Sequence, residues 1–311
     1  MMIHHPPVVL SRLQIWQQNT RKSQTAQHYI LNTNPASFNI ILIQKPWIDS
    51  FGNTRGNPHW HIVYPSNCYV DNHDTIHSII LVNTNISTDS YASLHIPHSD
   101  ITAIHLKGDF GHCSIFNIYN NCTNNSSITA LHNYLNTSLD TTLSTPTDHM
   151  LWLGNFNRHH PMWEENRNYR LFSPSHLIDP LIDFIVNHNM TLALPLGIPT
   201  YETALRNWTR PDIVWCLNNP VDPIITCNVR PSSWPPCADH LPIITKLKHS
   251  IPHANLPPTC NIRVADFDVI NLKLQSRLVN HCPAICIHHK VDVKTTVNQL
   301  VGIIKMKWPQ C

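Results

Sequence analysis

Between Asn39 and Gln44 the chain runs Ile40-Ile41-Leu42-Ile43, four apolar residues with no polar residue among them to mark a solvated face. Successive side chains of a strand point to opposite faces, so such a run calls for a sheet covered on both sides. Neither it nor any other apolar run in the chain approaches the roughly 20 residues that cross a bilayer, which argues against a membrane span. With 311 residues, 42% of them hydrophobic, the chain has enough apolar mass to build the covering layers.

Periodicity predicts further strands at 8–16, 61–64, 78–82, 101–106, 112–119, 150–153, 212–216 and 243–247. It predicts helices at 23–31, capped by Ser23 or Thr25 with Ala26, Ile30 and Leu31 inward, and at 126–139 on Ile128, Leu131, Leu135 and Leu139. A third, 177–187, turns Leu181, Ile182 and Ile185 inward. Strands dominate but helices recur, the pattern of a mixed-sheet architecture. Pro252, Pro257 and Pro258 mark a linker at 251–264, and two helical segments, 266–278 and 291–306, fill a tail at 265–311. That tail stops at Trp308-Pro309-Gln310-Cys311, so the chain reads as a fragment of a longer product. Residues 1–7 read as a disordered start without a secretory pattern, which assigns the ten cysteines to a reducing compartment, without disulfides.

Charge names no partner: charged residues make up 13% and the formal net charge is +2. The chemistry lies in polar clusters at predicted strand ends, where open sheets place their ligands. These are Gln18-Asn19, Gln44-Lys45-Pro46-Trp47, Asn117-Ile118-Tyr119-Asn120, Gly154-Asn155-Phe156-Asn157, and Asp239-His240-Leu241-Pro242. Arg210-Pro211-Asp212 opens another strand.

In this order and spacing the clusters resemble the endonuclease/exonuclease/phosphatase superfamily, the DNase I-like proteins. The resemblance runs from about Leu13 to Leu247 and is nearest to the endonuclease domain of non-LTR (LINE-type) retrotransposons, particularly fungal ones. Trp152-Leu153-Gly154-Asn155-Phe156-Asn157-Arg158-His159-His160-Pro161-Met162-Trp163 is similar to that branch's Gly-Asp-Phe-Asn-Arg-His-His-Pro block. Asn207-Trp208-Thr209-Arg210-Pro211-Asp212 and Ala238-Asp239-His240-Leu241-Pro242-Ile243 are similar to two others. The resemblance implies an α/β fold, a four-layer α-β-β-α sandwich of two mixed sheets spanning residues 8–250. It implies Mg²⁺-dependent nicking of DNA for target-primed reverse transcription, in a nuclear, monomeric enzyme whose reverse transcriptase domain this chain lacks. Asn19 and Asp239 would stand beside the metal, Tyr119 would contact the scissile phosphate, and Asn157 would orient the nucleophile or phosphate. Asp212 would pair with a catalytic His240. Arg158, His159, His160 and Arg210 would line a DNA groove.

Two positions depart from the family pattern. Lys45 stands where the family has a metal-binding glutamate, and an ammonium cannot coordinate Mg²⁺ and repels it. Asn155 stands where the family has the aspartate that activates water, and an amide takes no proton at neutral pH. Loss of a general base alone costs ~10²–10⁴ in rate. The expectation is an impaired endonuclease, with a DNA-binding remnant or a functionless copy as alternatives and a lipid or nucleotide phosphodiesterase disfavoured by the Arg-His-His-Pro block.

Plainer readings exist for the same residues. Asn155 and Asn157 also suit a turn, Asp239-His240 a loop cap, Tyr119 a core aromatic, and the arginines and histidines a solvated surface. His281, Cys282, Cys286, His288 and His289 invite a zinc reading that the Cys-x₃-Cys spacing with a proline inside disfavours.

Both departures are single G-to-A changes in the codon. The same kind of change explains the scarcity of glycine, seven in all, and of glutamate, only Glu164, Glu165 and Glu202. A copy altered in this way predicts that related copies of the gene differ from it with an excess of C-to-T and G-to-A transitions. Sequencing them checks this, and an even spectrum would refute it.

Overall fold

Ile40-Ile41-Leu42-Ile43 forms a strand whose alternate side chains enter different cores. Ile40 and Leu42 pack between two sheets, while Ile41 and Ile43 pack with Ile30 and Leu31 of a helix. The computed structural model describes residues 12–68, 76–108 and 111–250, with Leu272, Gln275 and Ser276 beyond them. The chain divides into two compact units, Met1–Ala254 and Asn255–Cys311. In the second unit the three described residues are helical, and the rest of the predicted tail lies outside the described residues, as does the Cys282 to His289 cluster.

In chain order the first strands are β1 (Arg12–Asn19), β2 (Ile40–Gln44), β3 (Trp60–Val63), β4 (Ser78–Asn83), β5 (Tyr91–Leu94), β6 (Ile101–Gly108) and β7 (Gly111–Tyr119). Then come β8 (His149–Asn155), β9 (Met190–Leu192), β10 (Tyr201–Glu202), β11 (Trp208–Thr209), β12 (Asp212–Leu217), β13 (Ile224–Val229) and β14 (Ile243–Ser250). The helices are α1 (Gln24–Leu31), α2 (Ser126–Thr142) and α3 (Ser175–Asn187). Ser23 caps α1, its hydroxyl accepting the Ala26 N–H.

One six-stranded sheet has the order β13-β14-β1-β2-β4-β3, the other β5-β6-β7-β8-β12-β9, and β10-β11 is a separate hairpin. Each sheet is mixed: β1 and β2 run parallel, as do β7 and β8, and the other pairs are antiparallel. Leu13, Ile15, Ile80 and Val82 of the first sheet meet Ile104, Ile115, Leu151 and Val214 of the second in the central core. The outer face of the second sheet is closed by Leu131 and Leu135 of α2 and by Leu181, Phe184 and Ile185 of α3, with Trp152 stacked on Phe184 at 4.4 Å. Helix, sheet, sheet and helix make four layers, the expected α-β-β-α sandwich.

The sheets are also joined by buried polar groups. Asn117 of β7 donates through Nδ2 to the carbonyls of Ile43 (3.0 Å) and Ile79 (2.8 Å), and its Oδ1 accepts from Gln44 Nε2 at 2.5 Å. Ser78 donates to the Asn117 carbonyl, and Gln17 Nε2 to that of Gly154. Buried polar groups are costly without partners, so only the register that pairs them is favoured.

Some expectations need correction. The first strand continues to Asn19, past the predicted Trp16. Leu139 of α2 is 36% exposed and Ile182 is half-buried. Periodicity missed β5, β9 and β13, because three to six residues with half-exposed or exposed members carry no clean alternation. No described helix is long and apolar enough to cross a membrane.

Gly154 lies opposite Ile118 across the parallel β7–β8 pair at φ +152°, and a Cβ there would sit 1.8 Å from the Ile118 carbonyl oxygen. Gly154→Ala is therefore expected to lower stability by about 3 kcal/mol or more. Chemical denaturation measures it, and a change within about 0.5 kcal/mol would contradict the close approach.

Candidate active site

Strand direction gathers the polar clusters at one edge of the sandwich. β1 and β2 run parallel and end together, Asn19 opposite Gln44, and β7 and β8 end with Tyr119 opposite Asn155. β12 and β14 run the other way, so their starts reach the same edge: Asp212 lies opposite Asn155, and Ile243 opposite Gln17. Asn19, Arg21, Lys45, Cys122, Asn155, Asn157, His159, Tyr201, Pro211, Asp239 and His240 line a cleft of about 320 Å³ there.

At its centre His240 Nδ1 is 2.6 Å from Asp212 Oδ2, which also accepts the Thr200 hydroxyl at 2.8 Å. The pair is buried and bridges the sheets, since Asp212 begins β12 and His240 precedes β14. Gln18 Nε2 donates to the His240 carbonyl at 2.7 Å, and the Tyr201 ring lies against the imidazole, tilted by 35° with ring centroids 4.6 Å apart. A ring anchored at Nδ1 presents Nε2 as its remaining polar atom, 3.8 Å from Asp239 Oδ1.

The amides have structural duties. Asn19 Oδ1 accepts the Arg21 N–H at 2.9 Å and shapes the turn after β1. Asn155 Oδ1 accepts the Asn157 N–H at 2.9 Å, and Asn157 Nδ2 donates to the Asn120 carbonyl at 2.6 Å. Asn157 sits at φ +49°, a conformation asparagine tolerates better than most residues.

Arg21, Lys22 and Lys45 also have positive φ, 52°, 59° and 46°. They form one knot: the Lys22 N–H donates to the Lys45 carbonyl, which also accepts the Thr20 hydroxyl, and the Lys45 N–H donates to His77. Non-glycine residues pay about 1–3 kcal/mol for such backbone, which persists where the surroundings hold it. The Lys45 ammonium lies 4.9 Å from the Tyr119 ring centroid, and Arg21 Nη1 is 3.1 Å from Asp239 Oδ2.

The expected DNA-contacting arginines prove to be internal. Arg158, fully buried, donates to the carbonyls of Asn121, Cys122, Asn124, Asn157 and Leu177 and to Asn125 Oδ1. Arg210, 1% exposed, donates to the carbonyls of Trp163, Leu194 and Pro195, and burial lowers its pKa to about 10. Both organise loops and have no reach to a phosphate. His159 does line the cleft, while His160 is not among its lining residues and Tyr119 is buried under Lys45.

Arg21, Thr200, Tyr201 and Glu164 escaped the sequence reading. Arg21 carried a signal, a cation in the loop after β1, and so did Glu164, one of only three glutamates. Tyr201 carried none, because an isolated bridge to His240 brings it in from 39 residues away.

A magnesium ion takes oxygen ligands, often one or two carboxylates and several waters. Among the described residues Asp239 is the only carboxylate in the cleft lining, and its Oδ1 is buried without a hydrogen-bond donor. Its other oxygen faces Arg21, and Lys45 lines the same space. One carboxylate against two cations does not fit a divalent metal, and among the described residues no group of three or more His, Cys, Asp or Glu converges on a metal site.

The four-layer fold is that of the DNase I-like proteins, the architecture the motif series implied. Residues 113–244 match the family described as endonuclease-reverse transcriptase. Similar solved structures include the endonuclease domain of TRAS1, a telomere-specific non-LTR retrotransposon, at TM-score 0.58 and 14% identity over 76% of this chain and 98% of that one. The AP endonuclease LMAP from Leishmania major gives 0.60 and 11% over 76% and 88%, and an AP endonuclease from Archaeoglobus fulgidus 0.52 and 13% over 76% and 99%. At these identities the likeness establishes the fold. No curated protein matches the sequence.

Glu164 is 3% exposed and accepts His159 Nδ1 (2.7 Å), Asn168 Nδ2 (2.7 Å) and the Arg210 N–H (3.0 Å). Burial pulls its carboxyl pKa up, but these bonds outweigh it and hold the pKa below the ordinary 4.5. A depressed folded pKa contributes stability that is present above 4.5 and is lost as pH falls through the folded value. Glu164→Gln is expected to cost about 1–3 kcal/mol at pH 7 and to remove that acid-side loss. Urea denaturation at pH 7 and below 4 tests both.

Proposed function

We propose that this chain is a retrotransposon-type DNase I-like endonuclease domain that engages a DNA phosphodiester but in which hydrolysis is impaired. One observation carries the reading: the 2.6 Å His240–Asp212 pair survives in a cleft where Lys45 and Asn155 stand in place of the acidic residues the motif series calls for. The family match and the likeness to the TRAS1 endonuclease support the retrotransposon origin. In an active relative, which would work in the nucleus ahead of a reverse transcriptase, a bound magnesium ion would supply Lewis-acid polarisation of the phosphate.

The chain's own residues retain part of the work. Asp212 and Thr200 fix the imidazole so that His240 Nε2 can take a proton or, protonated, donate to a phosphate oxygen. Asn157 shapes the loop beneath the reacting group. Asn155 repeats the acceptor role that an aspartate would have in this turn, but takes up no proton from water.

Nicking of supercoiled plasmid with Mg²⁺ tests this, comparing the chain with the double variant Lys45→Glu, Asn155→Asp. The parent is expected to be silent and the double variant to regain measurable nicking. Robust cutting by the parent, abolished by His240→Ala, would overturn the proposed impairment.

A further inference from the structure

We propose that Lys45 acts as a built-in cation: the cleft holds a DNA phosphodiester through the Lys45 ammonium and the Arg21 guanidinium, with no divalent ion required. The inference rests on the reading that the cleft engages DNA, and adds how it does so.

Charge balance within the lining is the first support. Lys45 and Arg21 face one lining carboxylate, Asp239, which Arg21 approaches at 3.1 Å. Among the described residues no carboxylate pairs with Lys45. Among the described residues its ammonium has only the face of Tyr119 as a partner, 4.9 Å away, an interaction that leaves its donors available. An anion is the missing complement.

Backbone geometry is the second. Arg21 and Lys45 come from the ends of different strands, yet the Lys22–Lys45 and Thr20–Lys45 hydrogen bonds tie their loops together in left-handed conformations. The two cations are thereby held at one place, beside the amides of Asn19 and Asn155 and the His159 and His240 rings. Asp239 Oδ1 opposes an anion, but Arg21 partly neutralises that carboxylate, and Lys45 is left as the uncompensated charge. The Tyr201 phenol reports the same field: burial raises its pKa, Asp239 adds to the rise, and Arg21 and Lys45 oppose it.

A phosphodiester fits better than an isolated phosphate dianion, because the cleft is open at the sandwich edge and its lining side chains, counted without the buried Asp212 paired to His240, carry a positive excess of about one charge. A phosphate contact by one lysine adds close to one unit to the slope of log affinity against log salt.

Fluorescence anisotropy of a short labelled DNA duplex, with EDTA throughout, tests the proposal in the full-length chain. The parent is expected to bind in EDTA, and Mg²⁺ is expected to change affinity no more than sodium chloride of equal ionic strength. Lys45→Met should weaken binding about 10-fold and reduce the salt slope by about 1, and Arg21→Met, at an exposed side chain, should act in the same direction. Lys45→Glu should weaken it further. Circular dichroism establishes that each variant is folded, and Arg21→Met carries the test if Lys45 variants are not. Inorganic phosphate should compete only at concentrations where chloride does; competition well below that would make free phosphate the ligand and overturn the DNA assignment.

A parent that binds only with Mg²⁺, or variants with unchanged slope, would overturn the role of Lys45. The two readings fail separately. Binding in EDTA together with plasmid nicking in Mg²⁺ sinks the proposed impairment and leaves the built-in cation standing. Absence of binding in EDTA from a chain that binds DNA in Mg²⁺ without nicking does the reverse.

Discussion

The polar seam between the sheets is the constraint on which the site depends. Asn117 contacts β2 and β4 through one amide, Gln44 answers it, and Ser78 and Gln17 extend the seam. Apolar side chains between stacked sheets tolerate small slips, because hydrophobic contact is not directional. Buried amides do not, since each lost bond leaves a desolvated group costing about 1–3 kcal/mol. The seam is incomplete, with Oε1 of Gln17 and Gln44 lacking donors, so its value is more in register than in net stability.

Register matters because the cleft is assembled half from each sheet. Asn19, Lys45, Asp239 and His240 belong to the ends and approaches of β1, β2 and β14, while Asn155, Asn157 and Asp212 belong to β8 and β12. The His240–Asp212 bond at 2.6 Å forms only when the two halves meet correctly. A slip of one residue would separate them by about 3.3 Å.

Structure and chemistry have separate tolerances here. Asn155 makes the turn bond to the Asn157 N–H that a carboxylate would also make, so the loop does not depend on whether position 155 can take a proton. Lys45 keeps its backbone bonds to His77, Thr20 and Lys22, which involve no side chain of its own, so the backbone there is indifferent to the charge it carries. The scaffold therefore places no demand on the charge carried at position 45.

What the sequence determined by itself were the elements that local periodicity encodes and the cluster order: the doubly covered Ile40–Ile43 run, α1 with its Ser23 cap, the Leu131 and Leu135 face of α2, and the motifs ending at Asp239-His240. Short, half-exposed strands such as β9 and β13 have no such period. Only tertiary structure decided which cations meet the cleft. Arg158 and Arg210 look like phosphate ligands in sequence, yet carbonyl oxygens from distant loops surround and bury them. Arg21, marked in sequence only as a cation in the loop after β1, and Tyr201, silent in sequence, are brought into the cleft by a turn and an isolated bridge. The physical reason is that periodicity is a local property, whereas burial and charge compensation are set by what the rest of the chain folds against each residue.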